Sequence, residues 1–326
     1  MEVQKEPNST LIKYPEQPQS TDSEVDFLDL LKVLWRGKWV IILTTTIFAV
    51  GSVFYAINLP NIYKADALLA PAESSGGGDL SKMAGQLGGL AALAGVNIGS
   101  SESSQTELAV QVMKSRHFVD SFITRHELLV PLMAVNGWDL TSDTLIIDDE
   151  IYNPLTNEWR REAKGLRGEK PTAQEAYEVF RNNVLNISLD QESGLYTVSV
   201  QYYSPYVAQQ WVGWLIEDIN EVMRERRISE TSKNLSYLKL QLQKTSIAEM
   251  QSTFYKLIEE QTKSLMLAEA QEEFVFKTID PAVVPEVKSK PRRGLICIVA
   301  TIFGFLISSI SVILFSYTLK IGKHNI

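Results

Sequence analysis

Three histidines, one cysteine and a few short charged clusters are the side chains of this 326-residue chain that could carry chemistry. His117, His126 and His324 are scattered, with no HExxH pair to set two imidazoles one helical turn apart on a zinc ion. Cys297 lies inside an apolar run, where a lone thiol packs rather than reacts, and it has no partner for an intrachain disulfide. Asp148, Asp149 and Glu150 could attract a cation, but consecutive side chains point in different directions, so the run reads as a solvated loop. Arg224, Arg226 and Arg227, interleaved with Glu221 and Glu225, would suit a sugar-phosphate contact; a salt-bridged, solvent-facing helix surface is the plainer reading. The Gly-, Ala- and Ser-rich stretch 74–104 contains neither GxxxxGK nor GxGxxG, so it reads as a flexible loop with a small-residue helix rather than a phosphate cradle. There is no GxSxG elbow either. We therefore expect no catalytic residue, no cofactor and no metal. The net charge of −8 argues against a nucleic-acid partner.

The elements that must position these residues begin with two uncharged apolar blocks, 39–59 and 294–317. Each is long enough to cross about 30 Å of hydrocarbon as a helix. A signal peptide is the rival for the first, disfavoured by the long polar stretch before it and the lack of a small-residue cleavage pattern after it. Residues 1–23, rich in Pro, Gln, Ser and Glu, read as a disordered tail. Residues 24–38 place Phe27, Leu30, Leu31 and Leu34 at helical spacing, with Trp35 and Trp39 at the expected interface. This is an interfacial helix leading into the first span. In the second span Ala300, Gly304 and Ser308 share one face, a small-residue ladder that permits close approach between the two spans or between protomers. Basic residues flank both ends of the second span, so charge alone leaves the orientation open.

Between the spans, residues 60–204 read as an α/β base. Strands are expected at 62–70, 184–189 and 195–203, the last on the alternation of Tyr196, Val198, Val200 and Tyr202. Residues 106–127 read as an amphipathic helix broken near Ser115, 128–170 as polar and turn-rich, and Pro171 and Thr172 as the start of a short helix. Ser204 and Pro205 then open roughly 70 residues without another proline, about 100 Å if continuous. That stretch, 205–273, is a long helical arm or a hairpin, with a break expected at Thr245 and Ser246, where Ser246 and Glu249 suggest a capping box. Leu235, Leu238 and Leu242 before the break, and Ile247, Met250, Phe254 and Leu257 after it, fall at near-heptad spacing and form a packing or oligomer seam. Residues 274–293 read as a returning strand followed by a stiff link through Pro281, Pro285 and Pro291. The fold class is thus α+β, a base domain with a long helical arm, flanked by two transmembrane helices.

Four segments in this order, VDFLDLLKVLWRGKW, GQLGGLAALAG, TELAVQVMKSRHFVDSF and IDPAVVPEVKSKPRRGLI, resemble the Wzz family of polysaccharide co-polymerases over nearly the whole chain. The resemblance implies an inner-membrane protein with cytoplasmic termini and a periplasmic base and arm, assembled as a homo-oligomeric ring. It implies a non-catalytic regulator of the modal chain length of a Wzy-dependent surface polysaccharide, lipopolysaccharide O-antigen or similar. The partners would be a Wzy-type polymerase and the growing lipid-linked polysaccharide, which the three arginines would then contact. Folded back at Ser246 the arm is short for the family, and the short tail after the second span, 318–326, leaves no room for a fused tyrosine-kinase domain. A membrane adaptor for a separate tyrosine kinase in capsule or exopolysaccharide export is the second reading. A two-span receptor is the third, disfavoured by the missing output domain.

Overall fold

The computed structural model describes residues 27–72 and 101–322. The tail at 1–23 and most of the Gly/Ala/Ser-rich stretch therefore lie outside the described residues. The chain divides into two compact units, the spans with their flanks and residues 59–292.

In the span unit α1 (Phe27–Arg36) turns at Gly37 into α2 (Lys38–Asn58), and α9 (Arg293–Gly322) forms the second long apolar helix. Both α2 and α9 are long and apolar enough to cross a membrane. They run antiparallel: Gly37 lies against Val312, Phe48 against Gly304, and the Arg293 guanidinium donates to the Ile57 carbonyl. Trp35 and Trp39 are exposed.

In the larger unit, alternation decides the sheet. Ala65, Ala67 and Leu69 of β1 (Tyr63–Pro71) are buried and stand opposite the buried Val200, Val198 and Tyr196 of β7 (Tyr196–Tyr202). Strand β6 (Leu185–Leu189) pairs with β7 on one side, and β8 (Phe276–Asp280) pairs with β1 on the other. All pairings are antiparallel, in the order β6-β7-β1-β8, so the strand returning from the arm is an edge strand.

Helices cover one face. α3 (Ser101–Met113) and α4 (Arg116–Arg125) are separated at Ser115, whose hydroxyl caps α4 by accepting from the Phe118 N–H at 3.3 Å. α6 (Ala173–Val179) opens on a complete capping box between Thr172 and Glu175 and ends in a π-helical turn, Phe180–Val184. Phe118, Phe122, Phe180, Trp211, Leu215 and Ile219 meet the sheet in one continuous core. Trp211 is 2% exposed, so its truncation to alanine costs about 3–5 kcal/mol.

Residues 128–170 hold more order than their polarity suggests. They form α5 (Leu129–Ala134), a hairpin of β2 (Val135–Asp139) and β3 (Thr144–Ile147), and a second small hairpin of β4 (Tyr152–Asn153) and β5 (Glu158–Trp159). The acidic run closes a turn here: the Asp148 carboxylate accepts from the Glu150 N–H at 3.0 Å.

Candidate functional site: the hairpin arm and the paired spans

The arm is a hairpin. α7 (Pro205–Lys244) and α8 (Ala248–Ala270) pack side by side, and Arg227 donating to Ser264 and Arg224 donating to the Gln271 carbonyl set them antiparallel. α7 is about 60 Å long and α8 about 35 Å. The first half of α7 belongs to the base, where Trp211, Leu215, Ile219 and Met223 are core residues. Only Arg224 onward forms the paired stalk, about 30 Å.

The seam follows a 3–4 spacing with polar residues among the apolar ones. From α8 come Gln251, Phe254, Ile258, Gln261, Leu265 and Ala268, and from α7 Thr231, Leu235, Leu238 and Leu242, all buried or half-buried. Ile247, Met250 and Leu257 do not enter it; they are 59%, 47% and 39% exposed and flank it. The break also differs in detail from the expected capping box. Helix α8 starts after Ile247, which offers no side-chain cap, while the Gln251 amide donates to the Thr245 carbonyl at 2.7 Å and closes the turn.

The three arginines do not form the expected ladder with Glu221 and Glu225. Glu221 is instead paired with Arg125 of α4. Arg224 caps the C-terminal end of α8 and Arg227 ties the two arm helices, so only Arg226 is left pointing away from the hairpin's own contacts among the described residues.

Asn220, 5% exposed, joins arm to sheet. Its carbonyl oxygen accepts from the Val275 and Phe276 N–H groups at 2.8 and 3.0 Å, and its amide donates to the Phe276 carbonyl at 3.1 Å. A side-chain amide thus completes the backbone pairing of an edge strand, as a further strand would. The sequence signal is one asparagine in a helical stripe of Ile216, Asn220 and Met223, which our reading passed over. Nearby, His126 meets Asp218 at 3.0 Å and stacks on Trp214 at 4.2 Å, while Arg125 pairs with the same carboxylate at 3.2 Å. This cluster ties α4 to α7. Among the described residues no group of His, Cys, Asp and Glu is arranged to hold a metal.

A second polar tie lies at α6. Glu175, 7% exposed, takes both terminal nitrogens of Arg161, and Arg161 Nε also donates to the Gly168 and Glu169 carbonyls. The guanidinium, aided by the Thr172 N–H and hydroxyl, holds the Glu175 carboxyl down at about 2.

Beyond β8 the proline-rich link is not helical. The Ala282 carbonyl, next to Pro281, accepts from Gln209, and Pro285 is half-buried. Just before Pro291, the Lys290 carbonyl accepts from the Ile62 N–H at 2.9 Å, and Lys288 donates to Asn61. The segments entering and leaving the larger unit are thereby stitched together.

In the span unit Gly304 and Ser308 are buried and Ala300 is half-buried on the face of α9 that meets α2. A Cβ on Gly304 would come within 2.7 Å of the Phe48 Cβ. The facing side of α2 is small as well: Thr45, Ala49, Ser52 and Ala56, a ladder our sequence reading did not single out.

Residues 23–126 match the family model "Wzz: Chain length determinant protein", a stretch that includes α1, α2, β1, α3 and α4. Over this stretch the chain is similar to the Wzz family. No curated protein matches the chain. Among solved structures, a "full-length bacterial polysaccharide co-polymerase" aligns over 90% of this chain and 98% of its own, at 13% identity and a TM-score of 0.37. A "Fragment of WzzB, Polysaccharide Co-polymerase from Salmonella Typhimurium" aligns over 71% of this chain and 100% of its own, at 11% identity and a TM-score of 0.27. The likeness to the Wzz family rests on the sequence match at residues 23–126.

Proposed function

We propose that this protein sets the modal length of a Wzy-dependent surface polysaccharide, O-antigen or similar, as a non-catalytic scaffold in the bacterial inner membrane. Its termini are cytoplasmic and its base and arm periplasmic. The observation that carries this reading is the Wzz match at 23–126, in a chain whose two spans enclose an α+β base with a helical hairpin. A hairpin in which Arg224 and Arg227 tie the two helices together suits a mechanical role.

The scaffold is a homo-oligomer acting beside a Wzy-type polymerase. Ile247, Met250 and Leu257 form its seam, because they are apolar, exposed and aligned along the arm. Arg226 is the arm arginine available to polymerase or polysaccharide. Ala300, Gly304 and Ser308 hold the spans together, and the Pro281–Pro291 link fixes the exit from the base.

The test is the polysaccharide ladder on a gel from cells lacking the gene and from cells with it restored. Loss and recovery of a modal band, with total polymer unchanged, supports length control. Complete loss of exported polymer, or an unchanged ladder, overturns it; the former outcome points to an export adaptor.

A further inference from the structure

We infer that the cleft bounded by the end of α4, the start of α6 and the β4–β5 hairpin is a subsite for a neutral pyranose unit of the polysaccharide. The ligand class rests on the length-control reading above, and the site itself on the following geometry.

The cleft has a volume of about 440 Å³, within the range of small-molecule sites. One wall is aromatic: the Tyr152 and Trp159 rings meet at 5.0 Å and 59°, Tyr152 buried and Trp159 half-buried. Apolar C–H faces of a pyranose stack on such rings, while the hydroxyls at its rim need polar partners. Those partners surround the wall. Asp120, Glu127, Asn157 and Lys170 line the same cleft and are exposed at its surface. Neither carboxylate, nor the lysine, forms an ion pair among the described residues. A carboxylate accepts from two adjacent hydroxyls at once, and an amide such as that of Asn157 both donates and accepts.

Charge narrows the class. Two carboxylates against one ammonium disfavour phosphate or a uronic acid and admit a neutral sugar.

The site is held in shape. The Tyr152 hydroxyl donates to the Asn157 side-chain carbonyl at 3.0 Å, which fixes the hairpin tip. The segment ending at Lys170 is pinned by Arg161, which binds the Gly168 and Glu169 carbonyls and the Glu175 carboxylate of α6. Glu127 and Asn157 both have positive φ, 54° and 55°, and Glu127 does so directly after α4 at a position where glycine or asparagine is usual. Two of the three non-glycine residues with positive φ among the described residues therefore line this one cleft. Strained backbone concentrates where a side chain must be aimed.

The experiment uses the full chain in nanodiscs. The probe is the surface polysaccharide of the producing cells, released by mild acid and partly hydrolysed to oligosaccharides. Saturation-transfer NMR should show sugar ring protons in contact with the protein. Trp159→Ala should weaken binding by about tenfold or more, and Trp159→Phe should restore it to within about threefold, because the ring face is kept. Asp120→Ala, a change at an exposed helix position, should weaken it severalfold without altering the melting curve, so the test survives if Trp159→Ala disturbs the hairpin. No transfer to the wild-type chain, or wild-type binding by both Trp159→Ala and Asp120→Ala, overturns the site. The two readings fail separately. A ladder indifferent to the gene alongside Trp159-dependent binding removes length control and leaves the site, whereas a gene-dependent ladder without binding does the reverse.

Discussion

Replacing Asn220 by leucine should release β8 from the sheet edge while leaving both arm helices formed. Leucine has nearly the same size, so the change leaves little cavity and isolates the polar term. It removes three hydrogen bonds, at 2.8, 3.0 and 3.1 Å, and strands the N–H groups of Val275 and Phe276, residues that are 3% and 0% exposed. Each buried donor left without a partner costs about 1–3 kcal/mol and the lost amide-to-carbonyl bond about 1 kcal/mol, so the loss is about 3–7 kcal/mol. Hydrogen exchange read by mass spectrometry on the full chain is the direct assay. Since about 1.4 kcal/mol is a factor of ten, amide protection across Val275–Asp280 should fall by roughly 150-fold or more. Protection of Trp211–Ile219, deep in the core, should fall by no more than the global loss. Asn220→Asp keeps the two acceptor contacts and loses the donated one, so it should fall between wild type and the leucine variant. Unchanged β8 protection in Asn220→Leu would refute the claim that this side chain substitutes for a neighbouring strand.

Three further outcomes follow from the same geometry. Gly304→Leu must displace Phe48, whose Cβ and Cγ lie 2.7 and 2.8 Å from the added Cβ, at a cost of about 1–3 kcal/mol; heating in detergent with a thiol-reactive dye should then expose Cys297, the only cysteine, at a lower midpoint, and an unshifted midpoint would show that the spans are not closely packed there. Glu175 is held at about 2 against an ordinary 4.5, so the folded state binds fewer protons than the unfolded one between those values; its contribution is complete above pH 4.5 and is lost as pH falls through about 2, and a Glu175→Gln variant whose acid-unfolding curve keeps the wild-type slope in that window would contradict this. The triple change Ile247→Ser, Met250→Ser, Leu257→Ser should shrink the oligomer seen by native mass spectrometry with helical content unchanged within about a tenth, since these side chains lie outside the hairpin seam; an intact oligomer would remove them from the proposed interface.

Period and punctuation made much of this fold readable. The two spans, the β6–β7 hairpin and the helix opened by Ser204 and Pro205 each announce themselves by a run, an alternation or a cap within a few residues. What stayed hidden was set by tertiary contacts. The seam of α8 contains Gln251 and Gln261, so tracing apolar residues alone selects the flanking Ile247, Met250 and Leu257 instead. The short strands of β4 and β5 are two residues each, too brief for any alternation to register. The cleft they help to build draws its lining from positions 120 to 176, which no local motif could have joined.

The way the arm leaves the base argues for a rigid rather than a hinged stalk. α7 is one unbroken helix in which Trp211, Val212, Leu215 and Ile219 are fixed in the core and Thr231 and Leu235 are buried against α8. To tilt the stalk, α7 would have to break between these groups, giving up backbone hydrogen bonds in mid-helix where neither glycine nor proline interrupts residues 214–244. The return path is fixed at the same level: Arg224 holds the end of α8, and four residues earlier Asn220 holds the start of β8. One helical turn of α7 thus grips both the last residue of the arm and the first of the strand. A displacement of the arm's tip would therefore be passed to β8 and through it to β1, the strand that directly follows the first span.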